Sequence, residues 1–191
     1  KKITAYHEAG HAILFHVLPD VDPVHMISII PTGLGAAGYT MPLPEKDEMF
    51  LTKSHMLQDI MVSLGGRIAE EIVFNDITTG ASNDIEQATK LARAMITRYG
   101  MSEDFDMVAM ETVTNQYLGG DTSLACSPAT QKDIDEKVVA LVKKQHGVSK
   151  KILAENREAL DRLAAHLYEK ETITGDEFMQ LLDEKEPEKE D

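Results

Sequence analysis

The sequence predicts an α+β domain that is mostly α-helical. Its first helix packs beside a small β-sheet or hairpin, and a C-terminal helical bundle follows. Three observations predict this. Helical patterning recurs over 2–17, 52–73, 84–99 and from about 129 onward. β-rich segments are confined to 24–30 and 39–42. Hydrophobic residues make up 42% of 191 residues, enough for one domain with its own core.

Taken in order, KITAYHEAGHAILFHV at 2–17 reads as a helix weakened only by Thr4 and Gly10, and Pro19 and Pro23 then break the chain. VHMISII at 24–30 has strand composition, and YTMP after the glycines predicts a second strand. Residues 52–73 predict a long helix, broken or closely packed at Gly65–Gly66. The polar loop NDITTGASND leads into a helix near 84–99, for which Asn83 and Glu86 are spaced as a capping box and Gly100 as a C-terminal stop. Residues 101–127 are weakly patterned and predict a long loop. Beyond them the chain reads as helix, break, helix, with Gly147 as punctuation and Leu153, Leu160, Leu163 and Leu167 on a packed face. Thr174 and Glu177 suit a second capping box. The expected domain is 1–182, and DEKEPEKED at 183–191 reads as an acidic, disordered tail.

The formal charge of −14 argues against nucleic acid or anionic lipid as a partner. A single cysteine, Cys126, allows neither an internal disulfide nor a multi-cysteine metal site and fits a reducing compartment. No apolar run reaches membrane-spanning length. The chain starts at Lys1 rather than Met, as expected of a fragment of something longer.

GLGAAG at 33–38 is literally G-x-G-x-x-G. A dinucleotide site needs those glycines to open directly into a helix whose N-terminus holds the pyrophosphate. Here YTMPLPE follows, β-prone and then broken by proline, so the reading as a nicotinamide-dinucleotide site fails. What remains is a glycine-rich hairpin. Gly35 and Gly38 leave a bare edge strand against which an extended peptide could lie.

HEAGH at 7–11 carries the chemistry. His7 and His11 are four apart on a helix and share one face, so both imidazoles reach a single zinc ion. Glu8 lies about 100° round the helix, free to take a proton from water. Ala9 and Gly10 are small enough to let another segment or a substrate approach. A catalytic zinc site normally takes a third protein ligand. Leu14 and Val17 occupy the positions where an extended motif would supply one, so Glu70, Glu71, Asp84 and Glu86 are the candidates. His16, His25, His55, His146 and His166 read as structural or surface residues.

HEAGHA at 7–12, IIPTGLGAAGYT at 29–40, LGGRIAEEI at 64–72 and TTGASNDIEQAT at 78–89, continued by KKILAENREALDRLAAHLYEKETITGDEF at 150–178, together resemble the peptidase domain of FtsH-type ATP-dependent zinc metalloproteases. The resemblance covers nearly the whole chain; MSEDFDMV at 101–108 and Gly147 depart from it. It implies a zinc endopeptidase acting on unfolded or translocated proteins. It further implies His7, His11 and Asp84 as zinc ligands, Glu8 as catalytic base, and Gly35, Ala36, Ala37, Gly38 and Tyr39 as a substrate-docking edge. An upstream AAA+ ATPase, a membrane anchor and a ring hexamer are implied for the full-length protein, with this domain soluble on the cytoplasmic or organelle-interior side. No phosphate-binding G-x-x-x-x-G-K-[ST] loop occurs in these residues, so ATP would act only through the absent module. Two other readings are a free-standing zinc peptidase of another family, using Glu70 or Glu71, and an inactive assembly or adaptor domain.

Overall fold

The computed structural model describes residues 1–33, 36–44, 49–114 and 121–184. In chain order these form α1 (Lys2–Val17), β1 (Val24–Ser28), β2 (Tyr39–Pro42), α2 (Lys53–Phe74), a 3-10 turn (Thr79–Ala81), α3 (Ser82–Thr97), β3 (Glu111–Thr114), β4 (Asp121–Leu124), α4 (Pro128–Glu155), α5 (Arg157–Lys170), β5 (Thr172–Thr174) and α6 (Gly175–Asp183). The predicted class, mostly helical α+β with the first helix beside a small sheet, is what forms.

Helix α1 is the axis of the molecule. It packs on α2, α5 and the sheet, and every residue from His7 to Leu14 is buried. A helix buried on so many sides needs small side chains where backbones cross, and α1 supplies Ala5, Ala9, Gly10 and Ala12. The tightest crossing is with α2. A Cβ on Gly10 would collide with the Gly65 carbonyl oxygen, and one on Gly65 would come within 2.9 Å of the Gly10 carbonyl oxygen. Gly65 therefore marks close packing, not a break, and α2 runs unbroken through it.

The sheet has the order β2-β1-β5 with both pairings antiparallel. Ile27 of β1 sits opposite Thr40 on one side and Ile173 on the other; both isoleucines are fully buried under α1 and α6. GLGAAG thus lies between the two strands of a hairpin, with Leu34 and Gly35 outside the described residues. Strand β5 is an addition to the expected sheet. Three residues, Thr-Ile-Thr, are too few to carry a periodicity, and β1 recruits them from the end of the chain.

Three expectations are corrected. Helix α3 begins at Ser82, and Asn83 sits inside its first turn rather than capping it. The preceding 3-10 turn does that work: the Ser82 N–H donates to the Thr79 carbonyl, and the Thr78 hydroxyl accepts from the Gly80 N–H. Residues 101–127 are not one long loop but contain the β3–β4 hairpin, fastened to α3 by a bond from the Met110 N–H to the Thr97 carbonyl and closed at its base by one from the Ala125 N–H to the Met110 carbonyl. Helix α4 passes straight through Gly147, and the break falls at Asn156, whose side-chain amide donates to the Ile152 carbonyl at 2.8 Å. The other punctuation stands: Gly100 is left-handed at φ 61°, and the Thr174 hydroxyl accepts from the Glu177 N–H at 3.2 Å. Leu153, Leu160, Leu163 and Leu167 are fully buried. Residues 185–191 of the expected tail lie outside the described residues.

The two kinds of glycine separate experimentally. Gly10→Ala is expected to destabilise by at least about 2 kcal/mol, because the colliding atoms are backbone. Gly147→Ala, whose Cβ meets nothing within 4 Å, is expected to stabilise by about 0.5–1 kcal/mol. Denaturant unfolding of the two variants measures both signs.

Candidate metal centre

The close crossing of α1 and α2 sets the site. The helices run antiparallel along it: His11 meets Val62, Gly10 meets Gly65, and His7 meets Gly66 and Glu70. A Cβ on Gly66 would overlap the His7 imidazole, so the ring lies flat in the space that glycine leaves. The Nδ1 of His11 lies 2.7 Å from the Val62 carbonyl oxygen. A carbonyl only accepts, so Nδ1 carries the hydrogen, and in the neutral ring the lone pair is on Nε2.

Those Nε2 atoms converge on the first turn of α3. His7 Nε2 and His11 Nε2 lie 3.1 Å apart, and Asp84 Oδ2 lies 3.1 Å from the first and 3.2 Å from the second. Among the described residues these three form the one cluster with metal-ligand geometry. A tetrahedral ion with bonds of about 2.0–2.1 Å spaces its ligands about 3.3 Å apart, close to what is seen. The chemistry of the donors points the same way. Three lone-pair atoms at such distances repel unless a proton or a cation sits among them. Burial pushes the His11 pKa down, but the hydrogen bond and charge of Asp84 outweigh it and hold it at about 9. Burial pushes Asp84 up, and the two imidazoles more than reverse this, leaving its carboxyl well below the usual carboxylate range.

Each histidine is backed from behind. Val62 holds His11. Glu70 lies behind His7, with Oε2 3.8 Å from Nδ1 and its other oxygen accepting from the Thr78 hydroxyl at 2.5 Å. Arg67 completes this group, its guanidinium 4.0 Å from Glu70 and donating to the Thr78 carbonyl at 2.8 Å. The loop that delivers Asp84 is thereby tied to the helix that backs His7.

Of the acidic candidates for a third ligand, only Asp84 joins the cluster. Glu70 faces the far nitrogen of His7. Glu71 points to the other side of α2, pairing with His146 at 3.1 Å and Lys150 at 3.6 Å. Glu86 pairs with Lys90 on the surface. Of the remaining histidines, His16 stacks edge-on against Phe178 and His55 lies 3.4 Å from Asp59.

Glu8 is buried beside the cluster and is not one of its three members. Its Oε2 accepts from the Thr40 hydroxyl of β2 at 2.7 Å. The cluster and Glu8 open onto a cleft of about 870 Å³, walled on one side by Ala36, Ala37, Gly38, Tyr39 and Thr40 and on the other by the loop from Thr78 to Asp84. Sequence reasoning missed Val62, Arg67, Thr40 and Thr78. Val62, Gly66 and Glu70 recur every four residues on one face of α2, a signal that was there to be used. Thr40 and Thr78 act through short hydroxyl bonds that leave no pattern.

No helix among the described residues is long and apolar enough to cross a membrane. The chain is similar to known proteins over nearly its whole length. The chain is 56% identical over 189 residues to the ATP-dependent zinc metalloprotease FtsH of Clostridium perfringens, covering 99% of this chain and 26% of that protein. It is 46% identical to the FtsH proteins of Lancefieldella parvula (95% of this chain, 28% of that protein) and Thermus thermophilus (96% and 29%). The chain therefore spans between a quarter and a third of the length of these curated relatives. The sequence pattern of Peptidase family M41 matches residues 1–181. That match takes in α1, the sheet, the Asp84 turn and the helical bundle alike, and the chain belongs to peptidase family M41.

Proposed function

We propose that this chain is a zinc-dependent endopeptidase domain, with His7, His11 and Asp84 as metal ligands and Glu8 as general base. The observation that carries the proposal is the convergence of the two Nε2 atoms and Asp84 Oδ2 within 3.2 Å of one another, with Glu8 beside them but outside the set. That its relatives are described as zinc metalloproteases supports zinc as the metal. When bound, zinc supplies Lewis acidity, polarising a scissile carbonyl and making water a better acid. Glu8 takes a proton from the attacking water and returns it to the leaving amine. Glu70 and the Val62 carbonyl orient the two imidazoles. The intact Glu8 disfavours an inactive adaptor, and membership of this family replaces the reading of a free-standing peptidase of another one.

Substrate is proposed to dock along β2. Among the described residues this strand pairs with β1 on one side only, and Ala36, Ala37, Gly38 and Tyr39 line the same cleft as Glu8. An extended peptide can add to such an edge through backbone hydrogen bonds. Gly35, also assigned to that edge from sequence, lies outside the described residues. For the longer protein the proposal includes unfolded or translocated polypeptides as substrates, a fused AAA+ ATPase, a hexamer and a membrane anchor, with residues 1–182 as the proteolytic domain on the cytoplasmic or organelle-interior side. The relatives' description as ATP-dependent supports the ATPase; the motif resemblance supports the rest.

Metal analysis tests the ligand set. Asp84→Ala is expected to weaken zinc binding well beyond the about 10–100-fold typical of removing an outer partner, which is the range expected for Glu70→Ala. Glu8→Gln is expected to keep its zinc and lose hydrolysis by about 10²–10⁴. Zinc loss in Glu8→Gln, or full retention in Asp84→Ala, overturns the assignment.

The His11 pKa gives the pH dependence and its sign. At about 9 it lies above neutral, so at pH 7 the imidazole holds a proton that must leave before Nε2 can bind an ion. Zinc affinity is therefore expected to rise about tenfold per pH unit from pH 7 to 9 and to level off above that. Competition with a chromophoric chelator across this range measures it.

The docking edge is tested by Ala37→Pro, with Ala36→Pro in parallel because the register decides which N–H faces the peptide. Proline removes that donor, and peptide cleavage is expected to fall with zinc content unchanged.

A further inference from the structure

Strand β2 does more at this site than offer an edge. Its Thr40 hydroxyl lies 2.7 Å from Glu8 Oε2 and 3.1 Å from the Glu8 carbonyl oxygen. Among the described residues this is the hydrogen bond made by the Glu8 carboxylate, and it is made to one oxygen only. Two residues earlier, a Cβ on Gly38 would approach Glu8 Cγ to 3.2 Å and the Ser28 carbonyl oxygen to 2.5 Å. The glycine, just before β2, therefore leaves bare backbone beside the glutamate stem, and the threonine fastens its end. A glutamate has three rotatable bonds and, on the edge of an open cleft, loses its geometry readily. Here the stem is confined beside Gly38 and the head is held by a charge-assisted hydrogen bond.

Resting on the assignment of Glu8 as base, we propose that Thr40 is a positioning residue for the reaction. Its hydroxyl holds Oε2 and leaves Oε1 as the oxygen that takes the proton from water. Among the described residues the Thr40 hydroxyl bonds to Glu8 alone, so it acts through Glu8. Because Thr40 faces Ile27 of β1 in the ladder, the register of β2 that aligns a docked peptide also sets the orientation of the base.

The test is a set of substitutions at Thr40 in the zinc-loaded protein, assayed on an unfolded protein such as casein. Thr40→Val keeps the branched shape and removes the hydroxyl. The expected result is a fall of about tenfold in kcat, with KM within twofold and zinc content unchanged, because a base held loosely is a base less often in reach. Thr40→Ser is expected to restore most of kcat, and Thr40→Ala not. Serine and alanine both lack the methyl group, so their ratio reads the hydroxyl alone even if the valine variant fails to fold. A binding readout runs beside the kinetics. A peptide hydroxamate hands its acidic proton to the same carboxylate, and its calorimetric Kd is expected to weaken in Thr40→Ala but not in Thr40→Ser. Equal kcat and equal Kd in the serine and alanine variants overturn the proposal, as does a loss confined to KM, which would make Thr40 a docking residue. Failure of the function assigned above looks different: the unsubstituted protein would cleave nothing, or Glu8→Gln would cleave as well as it does.

Discussion

Two helices meet backbone to backbone at Gly10 and Gly65, and the rest of the site is built on that contact. Side chains at either position would hold α1 and α2 apart. The distance between them decides whether Val62 reaches His11 Nδ1, whether the His7 ring fits over Gly66, and whether Glu70 stands behind it. Glycine in a helix interior costs about 1 kcal/mol against alanine, and α1 and α2 between them spend three. That cost is recovered by packing: Ala9, Ala12, Leu14, Ile68 and Ala69 are all fully or almost fully buried around the crossing.

The second constraint is electrostatic, and it opposes the first. Close packing buries two imidazoles, and Asp84 is then brought within 3.2 Å of both. An arrangement of lone pairs like this has no hydrogen of its own to share, so it exists by capturing a cation or a proton. The raised His11 pKa is the proton's version of the same attraction that a divalent ion would satisfy more fully. Glu70, behind His7, adds negative charge that favours either occupant, and Thr78 and Arg67 keep that carboxylate from turning away.

How much of this was legible in the sequence follows from the range of each signal. HEAGH announces two imidazoles on one helical face because the periodicity of a helix is local, and the strand pair around GLGAAG was equally local. The third member of the cluster lies 73 residues beyond His11, and no spacing argument separates Asp84 from Glu70, Glu71 or Glu86; the fold separates them by the face of α2 or α3 on which each lies. Capping at Asn83 failed because a 3-10 turn supplied the carbonyls that a cap would replace. Gly147 failed as punctuation because glycine only permits a break, and α4 has helix-competent neighbours on both sides. The β3–β4 hairpin and β5 are short strands specified by what they pair with, which is tertiary information.

Under the proposed docking mode, strand β2 joins these two constraints to the substrate. The segment from Ala36 to Thr40 lines the cleft, Gly38 just before the strand makes room for the Glu8 stem, and Thr40 holds the Glu8 carboxylate. A peptide can lie along such an edge only when it is itself extended, with its own backbone donors and acceptors unused. Folded proteins have few such segments to offer. Typical domains are stable by about 5–15 kcal/mol, so the fraction open at any moment is very small. Docking of the proposed kind is therefore matched to chains already unfolded, or to a device that pulls them open. Relatives of this chain are described as ATP-dependent and are three to four times its length. Nothing in the geometry of the His7, His11 and Asp84 cluster itself discriminates one polypeptide from another. In this reading selectivity comes before chemistry, from whatever decides which chains arrive at β2 in extended form.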